Sequence, residues 1–305
     1  LDFAQKIIVF ANTAITTAIV SVMYPLMANK LNEGDNEGFV VYLSKSVSII
    51  ALLLIPISFG FILLNKEVIS IFYERGNFTA SDVGLTSLAF LGYSLVLPFT
   101  GVRDILNSSL FSMQKTKVTT MNGVIGVIVN VILSITLSKI YGVFGVAMAS
   151  TISSIVTAVL LFISTRRLVG NFDVVPMIIK LLKILFAAIM MLFVLVALNN
   201  VLNLDNKIII ILVNGTAGIL IYSILCKILK IEEFNEIFEE VIKEQLKTFI
   251  ESDNVIYPEY EGYNLEDISP KNNVKDSADI ISLKKDIFET VAQAIKIPNS
   301  LLLGN

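Results

Sequence analysis

Four polar residues inside or beside long apolar stretches have the types and spacing needed to bind a ligand. They are Lys6, Arg103, Asp104 and Asn107. An ionisable side chain is costly in an apolar segment unless it faces a cavity or a partner. Ammonium and guanidinium groups bind phosphate and carboxylate groups. If Lys6 and Arg103 line one cavity, that cavity is cationic and suits an anionic or phosphate-bearing substrate.

A second interpretation of the two basic residues stays open. Lys6 lies near the start of a helix, from which its long side chain can reach the membrane interface. Arg103 can anchor a helix end on the cytoplasmic side. Six other polar residues in the apolar segments favour hydrogen bonds between helices over ligand contacts. These are Asn12, Thr13, Thr16, Thr17, Asn122 and Asn130.

Catalytic chemistry finds little support in this sequence. There is no His and a single Cys, Cys226, in an apolar segment. A His base, a His metal ligand and an internal disulfide are therefore excluded, and Cys226 is expected to be a packing residue. The sequence contains no nucleophile with a matching base and no phosphate-binding loop. We expect neither an enzyme nor a metal site, and no cofactor.

The elements that must position these residues are membrane-spanning helices. Of the 305 residues, 55% are hydrophobic and 16% are charged, so lipid must solvate most of the chain. Seven apolar segments are long enough to cross a bilayer. They lie near Phe3–Met27, Val41–Leu64, Leu85–Phe99, Val118–Leu137, Val143–Ser164, Met177–Asn199 and Lys207–Leu229. The fold class is an all-α polytopic membrane protein, followed by a small α+β or mostly helical soluble tail.

The third span is expected to continue past Pro98 as a kinked helix to Phe111, because the apolar pattern resumes there. The polar connection before this span, residues 73–82, contains Gly76 and Asn77, which permit a tight turn. Thr79 and its neighbours Ser81 and Asp82 can cap the helix that follows.

Charge is distributed unevenly along the chain. Of the 23 Lys and Arg residues, 16 precede Ile231, against 10 of the 26 Asp and Glu residues. Positive charges concentrate in the connections after the first, third, fifth and seventh spans, which places those connections in the cytoplasm. We therefore divide the chain into a membrane domain, residues 1–230, and an acidic cytoplasmic tail, residues 231–305. The tail begins with an amphipathic helix from Ile231 to Phe249.

The membrane domain resembles a known family along its whole length. The stretches that carry the resemblance are FAQKIIVFANTAITTAIVSVMYPLMANKLNEGD, LLLIPISFGFILLNKEVISIFYERGNFTASD, LVLPFTGVRDILNSSLFSMQKTK and IYGVFGVAMASTISSIVTAVLLFISTRRLVG. They are similar to the C-terminal half of the MurJ (MviN) lipid II flippases, within the multidrug and polysaccharide exporter superfamily. FYERGNFT is the most specific part. The first residue is Leu1 and no signal-peptide pattern follows, so we expect a portion of a longer chain.

The resemblance implies a fourteen-helix transporter with two lobes around a cationic cavity, of which this chain holds the C-lobe and two extra helices. That transporter flips the lipid-linked peptidoglycan precursor across the bacterial inner (plasma) membrane by alternating access. The implied partners are an anionic undecaprenyl-pyrophosphate-type lipid, membrane lipid and the missing N-terminal lobe, with no nucleic acid. Lys6 falls where the family usually has a cavity arginine, and Arg103 falls at a favoured basic position. The loop at residues 114–119 lacks the Asp and Pro that are usual in the family.

The tail, from about Lys243 to Asn305, resembles a segment of tailed-phage portal proteins through its helix and its IPNSLLLGN ending. A joined or chimeric reading frame would explain such a combination, and an ordinary acidic tail is the alternative. Two other functions stay open at this point. One is a structural chain in which the tail is a portal assembly fragment on a passive anchor. The other is a drug or polysaccharide exporter of the same superfamily.

Overall fold

The computed structural model describes residues 1–170, 172–202 and 206–237, and these residues form helices without a strand. The helices are α1 (Asp2–Asn32), α2 (Asn36–Leu63), α3 (Asn65–Tyr73), α4 (Ala80–Ser112), α5 (Thr116–Val169), α6 (Val175–Leu202) and α7 (Lys207–Ile228). All but the short α3 are long and apolar enough to cross a membrane. The chain divides into two compact units, Leu1–Phe234 and Asn235–Asn305, and all seven of these helices belong to the first unit.

The long helix α5 is two membrane spans joined by a reversal at Gly142. Gly142 has φ 56° and ψ −132°, which is not helical. Asn122 of the first arm, residues 116–141, donates to Ser164 Oγ of the second arm, residues 143–169, at 3.0 Å. Asn130 donates to Ser153 Oγ at 3.1 Å. These partners lie at similar separations on either side of Gly142, as in an antiparallel hairpin, so the prediction of seven spans is confirmed.

Helix starts follow local capping chemistry. Asp35 caps α2, its carboxylate accepting from the backbone N–H of Gly38 at 2.8 Å. That N–H, together with the Lys30 ammonium, holds the pKa of the Asp35 carboxyl below its usual range. Thr79 begins α4 through a capping box with Asp82, which confirms the predicted cap. α4 then continues through Pro98 to Ser112, which confirms that the third span extends past the proline.

The short helix α3 was not predicted by the apolar pattern, and it occupies part of the connection between the second and third spans. Its end is tied to the start of α7: Lys207 Nζ donates to Glu74 Oε2 and to Ser70 Oγ, each at 2.7 Å. Ser70 Oγ also donates to the Glu74 carboxylate. The hydrogen bonds from Lys207 and Ser70 lower the pKa of Glu74. This cluster fixes the ends of α3 and α7 relative to each other.

The core of the unit lies around α2 and α4. Half of the most apolar stretch of α2 and 56% of that of α4 are buried, against 11% for α1 and 17% for α7. The largest fully buried side chains include Phe39 and Leu54 of α2 and Phe90 and Leu106 of α4. α2 and α4 are therefore the inner helices, and α4 carries three of the four predicted site residues.

The far ends of α6 and α7 are joined by a second charged cluster. Lys180 Nζ lies 2.8 Å from Glu232 Oε2 and 2.9 Å from Oε1 of the buried Glu233. The bond from Lys180 lowers the pKa of the Glu232 carboxyl. Residues 232–237 are helical, in agreement with the predicted start of the amphipathic helix. The remaining residues of the predicted amphipathic helix, and the portal-like segment, lie outside the described residues.

Candidate functional site: a polar cavity beside α4

A partly polar, open cavity of about 930 Å³ lies between α1, α4 and the two arms of α5. Its lining combines apolar side chains with a polar part that is rich in amide and hydroxyl groups. The lining residues of this kind include Gln5, Asn12, Thr13, Tyr93, Thr100, Asn107, Thr119, Thr120, Asn130, Ser150, Ser153, Ser154 and Thr157. Arg103 and Asp104 are the charged residues of the lining. Several of the amide and hydroxyl groups already donate within the protein: Thr157 to the Ser153 carbonyl, and Asn130 to the hydroxyls of Ser150 and Ser153. The lining carries one charge of each sign.

Arg103 and Asp104 form an ion pair within this lining. Arg103 Nε and Nη2 donate to Asp104 Oδ1 at 3.3 and 3.2 Å. About one third of each side chain is exposed, 35% for Arg103 and 31% for Asp104. An anion that binds the guanidinium therefore has the Nη1 edge available and is repelled by the carboxylate beside it.

Asn12 of α1 holds the other oxygen of that carboxylate. Its amide nitrogen donates to Asp104 Oδ2 at 3.0 Å. Its carbonyl oxygen accepts from the Thr16 hydroxyl at 3.3 Å. The Thr100 hydroxyl lies 3.2 Å from the same oxygen and shares its one hydrogen with the Leu97 carbonyl, which is at 2.8 Å. The network joins α1 to α4 and gives the Asp104 carboxylate a partner besides Arg103.

The structure brings together Arg103, Asp104 and Asn107 but leaves Lys6 out of the lining. Lys6 Nζ lies 2.9 Å from Asp2 Oδ2, and the Lys6 side chain is 65% exposed. Nζ is also 5.8 Å from the centre of the Phe3 ring. That ring packs on Tyr73 at 4.8 Å between centroids, so Lys6 lies at the end of the bundle where α3 ends. A role for Lys6 in substrate binding stays a prediction.

Sequence reasoning did not single out Asn12 and Thr100 as members of the site. Asn12 was expected to bond between helices, and it does, but its partner is the site carboxylate. Thr100 follows Pro98 by two residues and shares a helix face with Arg103 and Asp104. That spacing was the signal available for Thr100. Nothing in the sequence pairs Asn12 with Asp104, since 92 residues separate them.

A multi-pass helical membrane protein with a polar cavity among its spans is a class that includes transporters. The comparisons with known proteins narrow this class. The sequence profile described as lipid II flippase MurJ matches residues 1–214. The chain therefore belongs to the lipid II flippase MurJ family.

Curated relatives and a solved structure agree with this assignment. A probable lipid II flippase MurJ from Vibrio cholerae serotype O1 is 27% identical over 162 residues, which cover 53% of this chain and 31% of the relative. The lipid II flippase MurJ of Thermosipho africanus is 28% identical, over 54% of this chain and 34% of the relative. A solved lipid II flippase MurJ in an inward closed conformation superposes with a TM-score of 0.65 at 27% identity, covering 78% of this chain and 46% of that one.

These similarities bear on two expectations drawn from sequence. The chain spans about a third of the length of these two curated relatives, as expected for part of a MurJ protein. The all-helical fold with apolar spans agrees with the solved MurJ structure. The comparisons lend no support to the resemblance of the tail to portal proteins.

Proposed function

We propose that this chain forms the C-terminal lobe of a lipid II flippase and that its cavity binds the pyrophosphate of a lipid-linked peptidoglycan precursor. The observation that carries the proposal is the position of Arg103 in the polar cavity of a chain from the MurJ family. A guanidinium binds phosphate oxygens through two parallel hydrogen bonds. Amide groups of the lining, such as those of Gln5 and Asn107, supply further donors. The precursor crosses the membrane by alternating access, with no covalent step, metal or cofactor.

A second lobe completes the cavity in this proposal. The chain covers 46% of the solved relative, and one lobe cannot by itself expose a site to both sides of a membrane. The missing lobe supplies the opposite wall and further cationic groups. On the wall formed by this chain, the charges of Arg103 and Asp104 cancel. The groups of the second lobe would therefore make the complete cavity cationic.

The proposed orientation places the tail in the cytoplasm of a bacterial cell, with the protein in the inner membrane. Arg166 and Arg167 at the end of α5 support this assignment, as do Lys227 and Lys230 after α7. The reversal at Gly142 and the cluster of Glu74 with Lys207 then face the outside.

The test is a chimera in which residues 1–230 replace the matching part of the Thermosipho africanus relative, expressed in a strain depleted of its own flippase. We expect the chimera to support growth and translocation of the lipid-linked precursor. Arg103→Ala should abolish this support, whereas Arg167→Ala, outside the cavity, should retain it. The proposal would be contradicted by a chimera that inserts in the membrane at normal levels but fails to support growth.

The same chimera tests Lys6. If Lys6 contacts a phosphate group when the second lobe is present, Lys6→Arg keeps the charge and preserves growth. Lys6→Ala should then reduce growth sharply. Equal growth of Lys6→Ala and the unmodified chimera would discard a role in binding and leave Lys6 as an interfacial residue.

An exporter of drugs or polysaccharides is the remaining alternative from the same superfamily. A reconstituted chimera separates the two functions by competition. An excess of the lipid-linked precursor should reduce transport of any other compound if both use this cavity, and a lack of competition would assign the cavity to the other compound.

A further inference from the structure

Two prolines lie inside the two innermost helices, and each leaves a backbone carbonyl without its helical partner. Proline has no N–H, so the carbonyl four residues earlier loses a hydrogen bond. Pro56 in α2 thereby frees the carbonyl of Leu52, and Pro98 in α4 frees that of Ser94. An unpaired carbonyl within the apolar part of a membrane is costly, so each needs another donor.

Each freed carbonyl receives a hydroxyl from a different helix. Ser58 Oγ of α2 donates to the carbonyl oxygen of Ser94 in α4 at 2.6 Å. Tyr222 Oη of α7 donates to the carbonyl oxygen of Leu52 in α2 at 2.9 Å. Both hydroxyl side chains are buried, at 4% and 8% exposure. In both helices, the accepting carbonyl belongs to the residue four positions before the proline.

The two bonds are arranged in series and end at the cavity. Tyr222 joins α7 to α2 beside Pro56, and Ser58 joins α2 to α4 beside Pro98. The half of α4 after Pro98 carries Arg103 and Asp104. A helix bends most easily at a proline, so the partner of the freed carbonyl influences the direction of the following half.

We propose that Ser58 and Tyr222 are positioning residues of the binding cavity. Ser58 fixes the half of α4 that carries Arg103, and Tyr222 fixes the proline region of α2 from which Ser58 acts. α7 is thereby coupled to the cavity although it does not line it. The expected effect on ligand binding rests on the proposed function. The placement of α4 by Ser58 and Tyr222 does not depend on the identity of the ligand.

The competing explanation is that each hydroxyl only supplies a hydrogen bond to an otherwise unpaired carbonyl and has no effect on the direction of the helix. A double substitution distinguishes this explanation from the positioning role. In Pro98→Ala, the new N–H of residue 98 can donate to the Ser94 carbonyl, so this carbonyl no longer needs Ser58 as its donor. Ser58→Ala alone should lower the thermal midpoint of the full chain, and Ser58→Ala with Pro98→Ala should restore it.

The deciding readout is the reactivity of single cysteines on either side of Pro98. Asn107→Cys reports on the cavity half of α4, and Ser81→Cys reports on the other half. The native Cys226 is buried, so the unmodified chain gives the maleimide background. Ser58→Ala should change the labelling rate at position 107 at least threefold and leave position 81 unchanged. The double variant should keep that change relative to Pro98→Ala alone, in which the Ser94 carbonyl can accept from both residue 98 and Ser58, although the two variants share a thermal midpoint.

Tyr222→Phe, alone and with Pro56→Ala, repeats the test one step further from the cavity. We expect at least a twofold change in the labelling rate at position 107 in both variants. If each double variant labels position 107 at the same rate as the matching proline variant alone, Pro98→Ala or Pro56→Ala, the hydroxyls are structural only and the proposal is overturned. A wild-type rate in Tyr222→Phe overturns the coupling of α7.

Binding is measured in parallel on the chimera in detergent, because the second lobe completes the cavity, with inorganic pyrophosphate as the probe. The Ser58→Ala and Pro98→Ala double variant should bind it at least threefold more weakly than Pro98→Ala alone. If the unmodified chimera does not bind pyrophosphate, the proposed function loses support. The labelling rates would still decide whether Ser58 and Tyr222 position α4, so the two failures are distinguishable.

Discussion

Asp104 accepts from two of the five N–H groups of Arg103, through Nε and Nη2, and leaves the Nη1 edge of the guanidinium for an incoming anion. Asn12 donates to the second oxygen of that carboxylate at 3.0 Å. In the proposed function, the carboxylate therefore competes with an incoming anion through its charge and not by covering the whole guanidinium.

The first prediction concerns this pair. Asp104→Asn removes the competing charge and keeps a side chain that can bond to Asn12. We expect the chimera that carries this change to bind inorganic pyrophosphate about two- to fivefold more tightly than the unmodified chimera, because a partly exposed ion pair contributes up to about 1 kcal/mol. Titration calorimetry in detergent measures the change. Asp2→Asn, which removes the partner of Lys6 outside the cavity, is the matched control and should bind as the wild type does. Weaker binding by Asp104→Asn would contradict the competition.

A second prediction at the residue scale concerns Glu74. The hydrogen bonds from Lys207 and Ser70 lower the pKa of this carboxyl in the folded state. The stabilisation is therefore present above the ordinary glutamate pKa of about 4.3 and is lost as the pH falls through the lower folded-state pKa. The thermal midpoint of the wild type should exceed that of Glu74→Gln at neutral pH, and the difference should shrink on acidification. Glu67→Gln, outside this cluster, is the control. A difference that stays constant with pH would show that the cluster acts through packing alone.

At the scale of the helices, the hairpin of α5 depends on one backbone conformation. Gly142 has a positive φ of 56°, and the chain reverses there so that the two arms pack against each other. Small residues allow this close packing. A Cβ on Gly145 would meet the backbone carbonyl of Leu137. The reversal and the contact beside it together make one continuous stretch of helix into two spans.

This geometry predicts different outcomes for two glycine substitutions in α5. Gly142→Ala should destabilise the chain by about 1–3 kcal/mol, because a residue with a Cβ is strained at this φ and ψ. Gly123→Ala is the matched control, since an added Cβ there has nothing within 4 Å and the residue is helical. It should be neutral or slightly stabilising. Unfolding of both variants in mixed detergent micelles measures the difference, and equal midpoints would argue against the strained reversal.

The sequence predicted the helices well because their signals are local. Apolar length, the cap at Thr79 and the proline at position 98 each depend on neighbouring residues, and each agrees with the structure. The short helix α3 was missed because its nine residues are too few for an apolar run to distinguish them from a connection.

The site was predicted only in part because its contacts are not local. Arg103 and Asp104 are adjacent in the sequence, so an ion pair between them can be predicted from the sequence. The hydrogen bond from Tyr222 to Leu52 joins residues 170 positions apart, and no pattern in a single sequence predicts it. The position of Lys6 depends on its pairing with Asp2 and on the packing of Phe3, two effects that an apolar pattern does not encode.

At the scale of the whole molecule, the two charged clusters lie at opposite ends of α6 and α7. Lys207 with Glu74 holds the start of α7, and Lys180 with Glu232 and Glu233 holds the start of α6. The ends of this helix pair are therefore both fixed, one to α3 and the other to the residues that come after α7. In the proposed orientation, the first cluster lies outside the cell and the second lies at the cytoplasmic face.

That orientation can be tested with the first arm of α5, whose ends are about 39 Å apart at 1.5 Å per residue. Thr116 and Tyr141 lie exposed at these ends, and replacing either by Cys leaves the charge distribution unchanged. A membrane-impermeant maleimide should label Tyr141→Cys in intact bacteria and Thr116→Cys only after the membrane is opened, because positive charges concentrate beside Thr116. The unmodified chain, with its buried Cys226, provides the background. The reverse pattern would invert the proposed topology, and labelling of both variants in intact cells would mean that this arm does not cross the membrane.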